Sequence, residues 1–405
     1  MLGCSPTAFT NGGLPAVKTS PLIAAVPSLL NVRREYHDFV NGHQGGARIT
    51  PAQIAWLLES EALQAGWVVG RSVGAELELI ERFDVSRDTL REAIRLLEAR
   101  GSMIIERGRH GGVRLAEPDV EWAASTLSMY LRALGWSPAH VAQTAQVSAP
   151  VLAELPSAHF LVQLHSRTIE LLSLPDHLPP RIKLLGFRIA TRLIQHFSPI
   201  PVNGVRLGSE EALCDRFRCS RATFRQAMRI LDDLGAVQVA RGRGGGYLLK
   251  QPTSIGIVRQ MFPLLASRQS GLQDVLAAKW ALDRVRLRLA LHALRTAQPE
   301  FRQQHLLGLL AALQDSPEPY RWCLLQRAIG RVAANPMIAT LLWGLVAYDV
   351  RVGPPNAAWA SIDSQLGAIE SKIVTEMAAD QSSEAELQLR CAQQLIRVSL
   401  IRIKH

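Results

Sequence analysis

A thirteen-residue segment of this chain occurs twice. Phe83-Asp-Val-Ser-Arg-Asp-Thr-Leu-Arg-Glu-Ala-Ile-Arg returns 134 positions later as Phe217-Arg-Cys-Ser-Arg-Ala-Thr-Phe-Arg-Gln-Ala-Met-Arg. Laying Gly70–Gly112 over Gly204–Gly246 needs no gap and gives 19 identities in 43 positions, where average residue usage gives roughly three by chance. Whatever this chain folds into must therefore hold two copies of one unit. The 405 residues leave room for both, since a single hydrophobic core stops growing at about 250–300 residues. The identities include Ser86/Ser220, Arg87/Arg221, Thr89/Thr223, Arg91/Arg225, Arg95/Arg229, Arg107/Arg241, Gly108/Gly242 and Arg109/Arg243. Core packing alone does not select those residue types.

Local signals give each copy the same order of elements. In the first, Thr50 and Pro51 open a helix that runs to about Ala65 and stops at Gly66. A second helix covers about Ala75–Arg82, and Ser86 caps a third that ends near Arg100 before Gly101. Met103–Glu106 and Val113–Leu115 have strand character and flank the glycine-rich tip Arg107-Gly-Arg-His-Gly-Gly. The second copy places helices at about Pro180–Phe197, Glu210–Phe217 and Arg221–Leu234, then a hairpin over Gln238–Leu249. Three helices followed by a two-stranded hairpin make a winged helix. The expected class is therefore mainly α, with two winged-helix domains, each followed by a helical segment, the second a larger all-α bundle. In numbers, this is a disordered arm over 1–48, winged-helix domains over 49–117 and 179–251, a short helical segment over 118–178, and an all-helical effector-like or dimerisation domain over 252–405. The offset persists past the hairpins in Leu115/Leu249, Pro118/Pro252, Leu131/Leu265 and Val141/Val275, so the duplicated unit extends into the helices that follow. In the C-terminal part, Leu272, Val275, Leu276, Lys279, Leu282, Val285 and Leu289 show helical spacing.

The third helix of each copy carries the chemistry. Leu90, Ala93, Ile94 and Leu97 form one apolar face, as do Phe224, Ala227, Met228 and Leu231. Arg87, Arg91 and Arg95, and likewise Arg221, Arg225 and Arg229, step by four along another face, so three guanidinium groups are expected to project as a ridge. Guanidinium bonds two edge atoms of guanine or clamps a phosphate, and a helix N-terminus adds a positive dipole and free amides. Ser86 and Ser220 cap the helix and stand within reach of phosphate, as do Thr89 and Thr223. At the hairpin tips, Arg107, Gly108, Arg109, Arg241, Gly242 and Arg243 put cations where glycine lets backbone approach a groove wall. The competing reading of each stripe is a solvated helix face, partly paired with Glu92, Glu98 or Asp232. Asp88 opposes phosphate unless it accepts from a cytosine amino group; its counterpart is Ala222. The two copies are therefore expected to read different half-sites, and half-sites one helical turn apart would fit two modules on one DNA face.

The excess of 45 Lys and Arg over 35 Asp and Glu gives a net charge of +10, which favours a polyanionic partner. The five cysteines, Cys4, Cys214, Cys219, Cys323 and Cys391, are scattered and show no CxxC spacing, so neither a disulfide framework nor a zinc site is suggested. The apolar run Ala333–Tyr348 is shorter than a membrane span and holds Pro336. The expected location is cytoplasmic. There are no paired catalytic carboxylates, nucleophile elbow or phosphate loop, and the glycines of Gly242–Gly246 sit within a hairpin rather than between strand and helix. An enzyme is not expected. His159 and His165, six apart in a helical pattern, face different ways and are not a ligand pair.

The order, spacing and Arg-Gly tips at Glu76–Gly112 and Glu210–Gly246 resemble the GntR superfamily of bacterial transcription regulators. The resemblance implies that Arg87, Arg91, Arg107 and Gly108, with Arg221, Arg225, Arg241 and Gly242, touch operator DNA. It also implies that two modules in one chain act as a fused pseudo-dimer on an imperfect palindrome, where ordinary members dimerise. Leu272–Leu291 is similar to the opening of that family's all-helical effector domain, with Lys279 and Asp283 at the places of its Arg and acidic residue. There Gln326 stands where the family has a metal-binding histidine, so no metal site and no cofactor are expected. A homodimer through the helical C-terminal domain and a small-molecule effector both remain open. Two other readings stand beside a regulator: a DNA-binding protein of a plasmid or mobile element acting in replication or partition, and an interaction protein in which one winged module serves as a dimer interface.

Overall fold

The computed structural model describes residues 49–106, 111–174, 184–240, 246–268, 271–314, 318–352 and 363–403. The arm expected over 1–48 and both Arg-Gly-Arg tips, Arg107 to Arg109 and Arg241 to Arg243, lie outside the described residues. The rest is mainly helical, with two small antiparallel sheets.

The first copy opens with α1 (Pro51–Gln64). Thr50 and Gln53 exchange cap bonds at 3.3 and 2.8 Å, and Pro51 takes the first turn, where its missing N–H costs nothing. A three-residue strand β1 (Ser72–Gly74) leads to α2 (Glu76–Phe83). Asp84, in the left-handed region, turns the chain into α3 (Arg87–Arg100). Gly101, at φ +70°, ends α3 and β2 (Met103–Glu106) and β3 (Gly112–Leu115) follow. The hairpin is not two-stranded as the pattern suggests, because β1 adds to the free edge of β3 and the order is β1-β3-β2. Backbone bonds recruit it, with Gly70 N–H donating to Leu115 O at 2.8 Å and Leu115 N–H to Arg71 O at 3.0 Å. A strand of three residues has no side-chain alternation by which a sequence can announce it.

The second copy runs through α7 (Leu185–Phe197), β4 (Val205–Gly208), α8 (Glu210–Phe217), α9 (Arg221–Asp233), β5 (Val237–Ala240) and β6 (Gly246–Leu249), once α4 to α6 have intervened. Its sheet order is β4-β6-β5. Strand registers keep the 134-residue offset. Ser72 faces Arg114 and Gly74 faces Val113 across an irregular step, as Arg206 faces Leu248 and Gly208 faces Tyr247. The stretch after each hairpin keeps the offset too: α4 (Val120–Ala133) corresponds to α10 (Ser254–Ser267), and α5 (Pro138–Leu152) begins where α11 (Leu272–Thr296) does. After α5 the described residues of the first copy add α6 (Phe160–Ser173). After α11 the chain continues through α12 (Pro299–Gln314), α13 (Glu318–Ala333), α14 (Pro336–Val352), α15 (Asp363–Ala378) and α16 (Ser382–Ile403).

One apolar core runs from Ile54 in α1 to Tyr348 in α14, so the copies are not separate beads. Contacts between them are reciprocal: α1 packs on α10, α7 packs on α4, and α4 packs on α10. Where α4 meets α10, Thr126 Oγ1 donates to Gln260 Oε1 at 2.6 Å, and these two residues are counterparts in the repeat. A second core, including Leu287, Leu325, Ile373 and Leu389, ties α11 to α13, α15 and α16. The expected helical face of α11 is buried at Val275, Leu276, Leu282, Val285 and Leu289.

Candidate nucleic-acid interface

In both copies the third helix starts from a serine with its side chain already engaged. Ser86 Oγ accepts from Thr89 N–H at 3.2 Å and lies 2.8 Å from Thr89 Oγ1; Ser220 does the same with Thr223 at 3.1 and 2.9 Å. The Ser-x-x-Thr spacing thus closes a hydroxyl pair over the first turn, which fixes the direction of each helix N-terminus. The apolar faces are seated as their spacing requires, with Leu90, Ala93, Leu97, Phe224, Ala227 and Leu231 all buried. Ser86, Arg87, Asp88 and Arg91, with Ser220, Arg221, Ala222 and Arg225, are exposed.

The middle arginine of each stripe is held by a carboxylate that opens the preceding helix. Arg91 Nε donates to Glu76 Oε1 at 2.8 Å, and Arg225 Nε donates to Glu210 Oε1 at 3.1 Å. Guanidinium has five donors in a rigid fork, and engagement through Nε leaves both terminal nitrogens free to face outward. More than half of each side chain is exposed, 52% and 58%. Glu210 holds the Arg225 proton above the usual arginine range. Glu76 and Glu210 are identical in the repeat, yet their role was not legible in sequence because each partner lies 15 residues away on another helix. Arg87 comes within 3.8 Å of Glu76 and Arg221 within 3.9 Å of Glu211, both at exposed positions.

The third arginine of each stripe also has a carboxylate partner. Arg95 pairs with Glu92 at 3.0 Å, and Arg229 reaches from α9 to the same Glu92 at 2.8 Å. One carboxylate on α3 therefore gathers the third arginine of both helices and bridges α3 to α9. The solvated-face reading anticipated the Glu92 pair within α3, but a bridge between copies carries no local signal.

Elsewhere, His159 caps α6, its Nδ1 accepting from Leu161 N–H at 3.2 Å. His165 is buried against Ser148 Oγ at 2.9 Å, and burial lowers its pKa to about 4. Side chains of the C-terminal part, Asp283 and Gln326 among them, hold structure together. Arg286 donates to buried Asp283 at 2.6 Å and to Gln326, a cation joining the two side chains. Asn335 caps α14 through Ile338 N–H at 3.0 Å and donates to Thr144 at 2.7 Å. Among the described residues, no group of three or more His, Cys, Asp or Glu side chains is placed to hold a metal ion, and no helix is long and apolar enough to cross a membrane.

No family model matches the chain. It is 32% identical over 117 residues to RmpR of Mycobacterium gastri, named as an HTH-type transcriptional regulator; the match covers 28% of this chain and 41% of RmpR. The chain thus spans about two fifths of that relative's length. A solved structure described as Streptococcus agalactiae GntR is similar at a TM-score of 0.38 with 18% identity, covering 53% of this chain and 99% of that one.

Proposed function

We propose that this chain is a sequence-specific DNA-binding transcription regulator of the GntR type, whose two winged-helix modules act together as a pseudo-dimer on an imperfect palindrome. The observation that carries the reading is the repeated Ser-capped helix with an outward arginine steadied by a carboxylate, Arg91 on Glu76 and Arg225 on Glu210. A packing requirement explains neither an exposed arginine nor its recurrence with its partner. The name of RmpR supports the regulator reading for the stretch it matches.

In this reading α3 and α9 enter the major groove by their N-terminal turns. Ser86, Arg87, Thr89 and Arg91 face one half-site, and Ser220, Arg221, Thr223 and Arg225 face the other. Arg107, Gly108 and Arg109, with Arg241, Gly242 and Arg243, extend the contact from the wings, and Arg95 and Arg229 brace the two helices across Glu92. Half-sites one helical turn apart would fit two modules on one DNA face. Asp88 against Ala222 makes the halves unlike, which is why the palindrome is imperfect. Gel-shift titration on selected operator DNA tests the reading. Binding should weaken steeply with salt, because phosphate contacts release counterions. Wild-type affinity in the Arg91→Ala/Arg225→Ala double variant would contradict it.

A further inference from the structure

The junction between the copies is joined by charge as well as by apolar packing, and the charge sits at only one of two equivalent places. Arg100, the last residue of α3, donates to Glu59 Oε2 at 2.7 Å and to Asp233 Oδ2 at 2.5 Å; its side chain is 3% exposed. Ser102 Oγ donates to Glu59 Oε1 at 2.8 Å. Glu59, Arg100 and Ser102 belong to the first copy and Asp233 to the second. Their counterparts 134 positions away are Leu193, Leu234, Ala236 and Ala99, and Leu193, Leu234 and Ala236 are fully buried. A polar cluster on one side of the junction thus corresponds to an apolar one on the other.

We propose that the Glu59–Arg100–Asp233 cluster is a pairing determinant, which makes the first module's junction face fit the second module and not another copy of itself. The pairing rests on junction geometry; only its purpose, assembling a DNA reader from unlike halves, rests on the function proposed above. Two first modules facing one another would set Arg100 against Ala99 with no aspartate from across the junction. Two second modules would set Asp233 against Leu234 with no arginine from across the junction. Either arrangement would leave a buried charge with its own module's partner alone, Glu59 for Arg100 and Arg259 for Asp233, and would lose the ion pair across the junction, whereas apolar contacts are non-directional and accept either arrangement. Arg259 acts on the same aspartate from α10, and its counterpart is Ser125, so the asymmetry extends one residue further.

The test uses full-length chains and does not depend on DNA. One variant carries Asp233→Arg, the other Glu59→Gln with Arg100→Asp. Each alone opposes like charges across the junction and should lower the melting midpoint by about 5 °C or more. Mixed in equal amounts, the variants should exchange halves: light scattering should find a species of twice the mass of either alone, with the midpoint restored. All three substitutions in one chain should restore the midpoint without doubling the mass. The proposal is overturned if either variant alone melts like the parent, if mixing changes neither mass nor midpoint, or if the combined chain fails to recover. Recovery of pairing without DNA binding would leave the pairing role standing and sink the regulator reading instead.

Discussion

At the scale of single residues, the outward arginines depend on which donor is used. Because Arg91 and Arg225 are gripped through Nε, lysine cannot replace them: an ammonium keeps the charge but has no second edge to present. Arg91→Ala and Arg225→Ala should each weaken operator binding by about 1–3 kcal/mol if they read bases, and Arg91→Lys should recover little of the loss in a gel-shift titration at fixed salt. The serine caps were legible because capping is a local pattern of residue types, visible at Ser86 and Ser220 without any fold. Glu76 and Glu210 were not, since a carboxylate on one helix does not announce which guanidinium on another it will meet.

At the scale of elements, the proposed reading makes the brace at Glu92 a limit on how many cations reach phosphate. Glu92→Gln should release Arg95 and Arg229, and the slope of log affinity against log salt should steepen by about 1–2, roughly 0.9 per added phosphate contact. An unchanged slope would show that the two arginines already reach DNA. The small sheets depend on close backbone approach. A Cβ at Gly112 would sit 2.8 Å from Gly74 O, so Gly112→Ala should push β1 away from β3 and cost about 1–3 kcal/mol in urea unfolding, as overpacking does. Helix boundaries were legible where capping residues and glycines mark them, as at Thr50, Ser86 and Gly101. The third strand was not, because its pairing is made by backbone atoms of residues about 40 positions apart. The partner of Arg229 was not legible, because the neighbouring copy supplies Glu92.

At the scale of the whole molecule, duplication has produced a continuous core with an asymmetric junction. Burial also places a titratable group inside that structure. His165 is held neutral with a pKa near 4, below the ordinary histidine value of 6.5. The unfolded chain therefore takes up its proton first as pH falls, so stability present above pH 6.5 is lost progressively down to about 4. The loss amounts to about 3 kcal/mol if burial is the whole cause. Melting followed from pH 7 to pH 4 should show it, and His165→Gln should flatten that part of the profile. The central claim is that one chain brings two unlike reading helices to one short DNA site. Selecting bound fragments from random DNA with the full-length protein, then footprinting wild type, Arg91→Ala and Arg225→Ala on the selected site, tests it most directly. The account predicts one asymmetric site of two unlike half-sites, each substitution removing protection from a different half. Identical half-sites, or protection that neither substitution alters, would contradict it.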